Sequence, residues 1–335
     1  MQARASFPAG MFFVLIFASL VHPAMAAADT PLARSPAAPG ALDDPQLDQA
    51  YQYWKAGQLD RMIALVEPMA RQGSAAAQFL MGEFCSNGIG LPEDDEQAVQ
   101  WWRKSAEQGV SRAQNELGVA LTDGRGTDAD PQQAVDWYRK AVAQGSDVAE
   151  VNLGLMYLNG LGGLQQDDKQ AVAWFRKAAE QGLGWAQYYL GMAYVQGRGV
   201  GRNMRRAVEW VRKAAEQEYT EAEYFLGGMY KLGQGVPQDY GLATYWTALA
   251  ARQGYELAEQ VLPTMLQRLR RMQLSAATAV RAKPDATAAI IPTPDGREYA
   301  YELAHSGGWV EVYIEDHFTV GYISADQWHG RWHGK

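Results

Sequence analysis

The side chains able to do chemistry in this 335-residue chain are few, and most stand in patterns that have another use. His329 and His333 lie four apart in WHGRWHGK, a spacing that on a helix would present two imidazoles to one transition metal. The glycines beside them argue against a stable helix, so no metal is expected. Asp128 and Asp130 have the D-x-D spacing of a calcium loop without its glycine and distal glutamate, and helix capping is the expected role. No serine, cysteine or histidine sits in a nucleophile motif, and no glycine loop has a phosphate-binding pattern. Neither catalysis nor a cofactor is expected. Cys85, the single cysteine, reads as a small buried apolar side chain, which leaves no intramolecular disulfide. What remains is binding chemistry. Arg202, Arg205 and Arg206 make a local basic run that could receive an acidic partner or stand as a solvated loop.

The elements that position these residues are set by a tandem repeat. A Leu/Met-Gly step recurs at Gly82, Gly118, Gly154, Gly191 and Gly227, at spacings of 36, 36, 37 and 36 residues. Six residues after each comes a Gly-x-Gly, at Gly88/Gly90, Gly124/Gly126, Gly160/Gly162, Gly197/Gly199 and Gly233/Gly235. A tryptophan follows at Trp101, Trp137, Trp174, Trp210 and Trp246, and then an Ala-rich turn ending near Gly109, Gly145, Gly182, Glu218 and Gly254.

Each repeat reads as a helix pair. In the first helix the apolar stripe (Ala149, Leu153, Met156 and Tyr157 in the third repeat) has helical spacing and must face the core. Its internal glycine costs about 1 kcal/mol relative to alanine, so close approach of the neighbouring helix is expected there. Gly-x-Gly ends the first helix. Asp94, Asp130 and Asp167, each followed three residues later by Gln97, Gln133 or Gln170, read as capping boxes that start the second, with Pro131 at a first helical position. In the fourth repeat Asn203 takes that place. Cations in the last turn, such as Arg139-Lys140, suit the helix dipole.

Outside the array the pattern changes. Residues 1–26, with Arg4, an apolar run from Met11 to Val21 and Ala24-Met25-Ala26, read as a signal peptide cleaved after Ala26, which predicts a periplasmic protein. The apolar run is 11 residues long, too short to span a bilayer. Residues 27–44 read as a flexible leader, 45–74 as an N-terminal capping helix pair, 75–254 as the five repeats, and 255–283 as C-terminal capping helices, with Pro263 near the first turns of one and a shorter helix starting at Ser275. Residues 284–335 alternate with period two and read as a small β module docked on the array. The formal charge of -8 becomes -9 once Arg4 leaves with the signal peptide, which argues against nucleic acid and anionic membrane surfaces as partners.

The unit A-x-x-x-L-G-x-x-Y-x-x-G-x-G-x-x-x-D-x-x-x-A-x-x-W-x-x-K-A-A-E-Q-G resembles the Sel-one-like repeat family, relatives of the tetratricopeptide repeats, over Ala75 to Gly254. GGWVEVY followed by VGYIS in the β module resembles a bacterial Src-homology-three-like barrel. The first resemblance implies an all-α solenoid, a right-handed superhelix of helix-turn-helix units, that holds another protein and is not an enzyme. Exported members include immunity proteins against type VI secretion phospholipases, regulators of sensor kinases and envelope-assembly factors. An inhibitor of a toxic effector is the leading expectation. An adaptor for a sensor kinase or assembly machine is the alternative, and a cell-wall glycan binder using Trp309, Tyr313, Tyr322, Trp328 and Trp332 is a third. In related arrays the first helices line the concave face, which would put Phe79, Val151, Leu155, Tyr188, Met192 and Tyr224 on a partner-binding stripe with aromatic anchors. The other reading of that stripe is packing between repeats or under the β module.

Overall fold

The computed structural model describes residues 45–274, 278–283, 288, 299–314, 319–329 and 331–332. Residues 1–44, which carry the expected signal peptide and leader, lie outside them, as do Ser275 and His333. The described residues form two compact units, one of those up to Asn152 together with Gly160–Leu164, the other Leu153–Asn159 together with those from Gln165 onward.

In the first unit, α1 (Pro45–Lys55) and α2 (Leu59–Arg71) form a helix pair ahead of the repeats, and α3 (Ala75–Asn87) with α4 (Asp95–Glu107) and α5 (Ser111–Asp123) with α6 (Pro131–Ala143) form the first two repeats. Helix α7 (Asp147–Asn159) begins in this unit and ends in the second. The second unit continues with α8 (Asp168–Glu180), α9 (Gly184–Gln196), α10 (Met204–Ala215), α11 (Thr220–Leu232), α12 (Tyr240–Arg252) and α13 (Glu256–Leu266).

The three glycines of each repeat do different work. A Cβ on Gly82 would enter the Trp102 indole, one on Gly118 the Tyr138 ring, and one on Gly154 the Phe175 ring, so the glycine inside the first helix lets the second pack hard against it. The first glycine of each Gly-x-Gly ends its helix in the left-handed region, as at Gly124 with φ 71°. The second, also at positive φ, lies against the preceding repeat. Gly126 abuts the carbonyl of Asp95, and Gly199 that of Asp168.

The second helices are capped by the predicted residues. Asp94 Oδ1 accepts from the N–H of Gln97 at 2.9 Å, Asp130 from Gln133 at 3.0 Å, and Asp167 from Gln170 at 3.0 Å. The reciprocal half of the box differs from expectation. Gln97 Nε2 donates to the Asp94 carboxylate itself, at 2.8 Å, because the Asp94 N–H is already given to the Cys85 carbonyl at 2.9 Å. The same backbone bond joins Asp130 to Leu121 at 2.8 Å and Asn203 to Tyr194 at 2.9 Å, so one residue closes the loop and starts the next helix. Asp167→Ala is expected to cost about 1 kcal/mol in urea unfolding, as loss of a cap does; no change would mean that the backbone bond alone holds the start of α8.

The C-terminal end corrects the reading of 255–283. Only α13 is helical there among the described residues, with Pro263 in its second half instead of its first turns. Arg270–Gln273 is strand β1, paired antiparallel with β2 (Tyr299–Ser306) and β5 (Arg331–Trp332). Pairing across almost thirty residues satisfies its backbone groups, and that long-range partner overrides the local pattern. With β3 (Trp309–Ile314) and β4 (Thr319–Ser324) the sheet has the order β4-β3-β2-β1-β5. One side packs Tyr301, Leu303 and Tyr313 on Ala248, Leu262, Leu266 and Leu269 of the last helices and the turn after them; the other closes a second core of Leu274, Val280, Val310, Val312, Ile323 and Trp328. Gly241 on α12 lies against the Leu303 carbonyl, so the module docks on the array by close backbone approach.

Candidate protein-binding site

Burial divides the predicted stripe. Val151 is 0% exposed, Phe79 5% and Met192 7%, so these three are packing residues and offer no surface, which corrects their reading as partner contacts. Phe79 also carries Arg112 over its ring at 5.6 Å, a cation supplied by the next repeat of this chain. Leu155, Tyr188 and Tyr224 stay half-buried in the second unit.

Around the two tyrosines the second unit builds an aromatic surface that the stripe alone did not predict. Tyr188 on α9 lies 5.4 Å from Tyr219, centroid to centroid, 6.0 Å from Tyr189 and 6.2 Å from Phe225. Tyr224 on α11 repeats the arrangement with Tyr255 at 5.1 Å. Trp185 meets Tyr189 at 6.5 Å, edge on, and Phe175 stacks on Tyr189 at 5.2 Å. Tyr219 and Tyr255 each immediately precede a first helix, positions held by Val110 and Leu183 in earlier repeats, and neither site has a side-chain cap to lose. The ring pairs are therefore a substitution that the helix ends tolerate.

One carboxylate stands among these rings. Burial holds Glu221 above the usual carboxylate range, opposed by its own backbone N–H and the Tyr219 hydroxyl. Burial and the nearby Glu221 charge in turn push Tyr189, Tyr188 and Tyr219 upward, and Tyr255 to about 12.

The basic run is dispersed. Arg206 reaches the Tyr194 hydroxyl at 3.4 Å, Arg176 bonds the same oxygen, and Arg202 and Arg205 point to solvent. Burial pushes Tyr194 up, but the two guanidinium donors outweigh it and hold the phenol below its usual range. A shallow cleft of about 470 Å³ lies here, and its cations Arg176, Arg206 and Lys213 are mixed with Glu180 and Glu209. Lys213 also stacks on Trp210 at 4.3 Å. The cleft is close to charge-balanced and its cations are partnered, so it is a weak receptor for an acidic partner.

The glycan reading loses part of its platform. Tyr313 is 0% exposed and Trp328 7%, both inside the module, with the Trp328 indole N–H donated to Glu302 at 3.0 Å. Trp309 and Tyr322 are half-buried, and the Tyr322 hydroxyl donates to Glu311 at 2.9 Å. Among the described residues no group of three metal-ligating side chains occurs, and no helix is long and apolar enough to cross a membrane.

The geometry of the five repeats is matched by comparison. The Sel1 repeat model fits residues 75–110, 111–146, 147–183, 186–219 and 220–255, more than half of the chain. The chain belongs to the Sel1 repeat family. A Sel1 repeat protein from Oxalobacter formigenes is 33% identical with a TM-score of 0.59, covering 67% of this chain and 89% of its own. The protective antigen c5321 of uropathogenic Escherichia coli strains, described as displaying an SLR fold, is 34% identical with a TM-score of 0.56, over 66% of this chain and 48% of its own. The immunity protein Pa5087 from Pseudomonas aeruginosa aligns at 19% identity with a TM-score of 0.46, over 64% of this chain and 84% of its own, too distant to bear on function. No curated protein matches the chain. Sel1 repeat solenoids are in general scaffolds for protein interaction.

Proposed function

We propose that this Sel1 repeat protein acts after export to the periplasm, without chemistry of its own, as a stoichiometric inhibitor that holds a secreted toxic effector on the aromatic surface of its second unit. The observation that carries the protein-binding part is the set of half-buried rings on α9 and α11 and just before α11 and α13, Tyr188 with Tyr219 and Tyr224 with Tyr255. Rings already packed against one another lose little freedom on binding, and such aromatic residues dominate interface energetics. Inhibition is the version that a preformed surface serves best, because occlusion needs only tight, rigid contact.

Affinity capture from envelope extract of the parent cells with residues 27–335 should recover one principal protein. Its toxic or lipolytic activity should fall to near zero at an equimolar ratio of the two chains. Recovery of a sensor kinase or assembly component would replace the inhibitor by the adaptor reading. Recovery on purified sacculi alone would replace both.

A further inference from the structure

The repeat places equivalent residues in equivalent surroundings, which allows one half of the chain to be read against the other. Arg112 stands two residues after Val110, the residue before α5, and its guanidinium covers the ring of Phe79, three residues before Gly82. Glu221 stands in the same place, two residues after Tyr219, and Tyr188, three residues before Gly191, is the counterpart of Phe79. The first unit thus fills this corner with its own cation. In the second unit the corner keeps the ring, gains the faces of Tyr219 and Tyr189, and holds a carboxylate instead.

That carboxylate lies in the first turn of α11 and is matched by the chain only through neutral donors. Its hydrogen-bond donors are its own backbone N–H and the Tyr219 hydroxyl, and among the described residues no lysine or arginine pairs with it. A carboxylate beside tyrosine rings in a partly desolvated corner attracts a cation through its charge, and the neighbouring rings add to that attraction. A neutral or acidic group would gain neither.

We infer that the corner formed by Tyr188, Tyr219 and Glu221 receives a lysine or arginine side chain of the bound protein, in the place that Arg112 occupies over Phe79 in the first unit. The inference deepens the protein-binding reading and rests on it, while its chemistry is testable apart from any partner. Acetyl-Gly-Arg-Gly-amide is the probe, titrated into the full mature chain with tyrosine rings observed by NMR.

The arginine peptide is expected to shift the Tyr188 and Tyr219 ring signals saturably, and its citrulline analogue to bind at least tenfold more weakly. Glu221→Arg, which restores the residue type that the second repeat already carries at this position, should keep the fold and abolish the shifts. Glu221→Gln should weaken them about tenfold. The inference is overturned if the peptide moves neither ring, if citrulline binds equally, if Glu221→Arg leaves the shifts unchanged, or if tetramethylammonium binds and the arginine peptide does not. In the capture experiment Glu221→Arg should cut recovery of the partner at least tenfold. Unchanged recovery would overturn the cation receptor and leave the protein-binding reading standing. With no partner recovered the function reading fails, and the peptide titration still decides the chemistry of the corner.

Discussion

Gly126→Ala is expected to destabilise the protein by at least about 3 kcal/mol, while Gly109→Ala costs about 1 kcal/mol. Both glycines have positive φ, 66° at Gly126 and 94° at Gly109, so both variants carry the strain of an L residue in the left-handed region. They differ in what the new methyl group meets. At Gly109 nothing lies within 4 Å, whereas at Gly126 it would run into the backbone of Asp95 and Glu96 at the start of α4. Backbone there cannot yield as a side chain could, because Asp95 begins the helix that Asp94 caps. Relief would require the second repeat to move off the first, with loss of the packing between them. Urea unfolding of the two variants beside the parent measures the difference, and equal losses would show that this glycine serves only its φ.

Glu223→Gln is expected to stabilise the protein above pH 7 by up to about 3 kcal/mol and to flatten its stability profile between pH 4.5 and 7. Its position belongs to a staple. In three repeats a buried glutamine donates Nε2 to a carbonyl of the preceding repeat or cap, Gln78 to Ala70 at 3.1 Å, Gln114 to Ala106 at 3.2 Å and Gln187 to Ala179 at 3.2 Å. Its Oε1 accepts from a second glutamine thirty residues on, at 2.7 Å from Gln108, 2.8 Å from Gln144 and 2.9 Å from Gln217. Glu223 keeps the accepting half, from Gln253 at 2.9 Å, but as a carboxylate it has nothing to donate.

Glu223 is 1% exposed, and burial with the nearby Glu218 charge raises it from 4.5 to about 7, against the Gln253 donor and Arg252. A folded state that keeps a proton the unfolded chain has released loses stability as pH rises from 4.5 through 7, and loses no more above that. Glutamine at 223 removes this share and supplies the missing donor. Glu83, held above its usual range by burial and by Glu116, adds a slope of the same sign that the variant leaves in place. Thermal unfolding across pH 4 to 8 checks the sign, and a variant less stable than the parent at pH 8 would contradict the staple.

These devices mark where the sequence was legible. The helix pairs, the aspartate caps and the close-packed glycines follow from local chemistry repeated five times, so period and residue type were enough to place them. The staple carries a signal of the same kind, glutamine four residues before the Leu/Met-Gly glycine in three of the five repeats and another thirty residues later, but its meaning depends on a carbonyl in the preceding repeat. Strand β1 was hidden because four residues, Arg270–Gln273, say little about a partner that lies beyond Lys283. In the candidate site, Tyr188 and Tyr224 were found by register, whereas Phe79, Val151 and Met192 share that register and are buried. Spacing fixes the face of a helix, and the neighbouring repeat decides how much of that face is covered. Tyr219, Tyr255 and Glu221 were missed because they precede or begin a helix, outside the stripe that register picks out.

The central claim is that the aromatic surface of the second unit is where another protein is held. The measurement that tests it most directly is quantitative recovery of the captured partner by residues 27–335, beside a Tyr188→Asp/Tyr224→Asp variant and a separate Leu155→Glu variant. Circular dichroism and melting temperature must first show each variant folded. The account predicts at least a hundredfold lower recovery with the tyrosine pair replaced, since two anchors at about 2 kcal/mol or more each are removed. Equal recovery by the parent and the folded variants would contradict it and place the interface elsewhere on the chain.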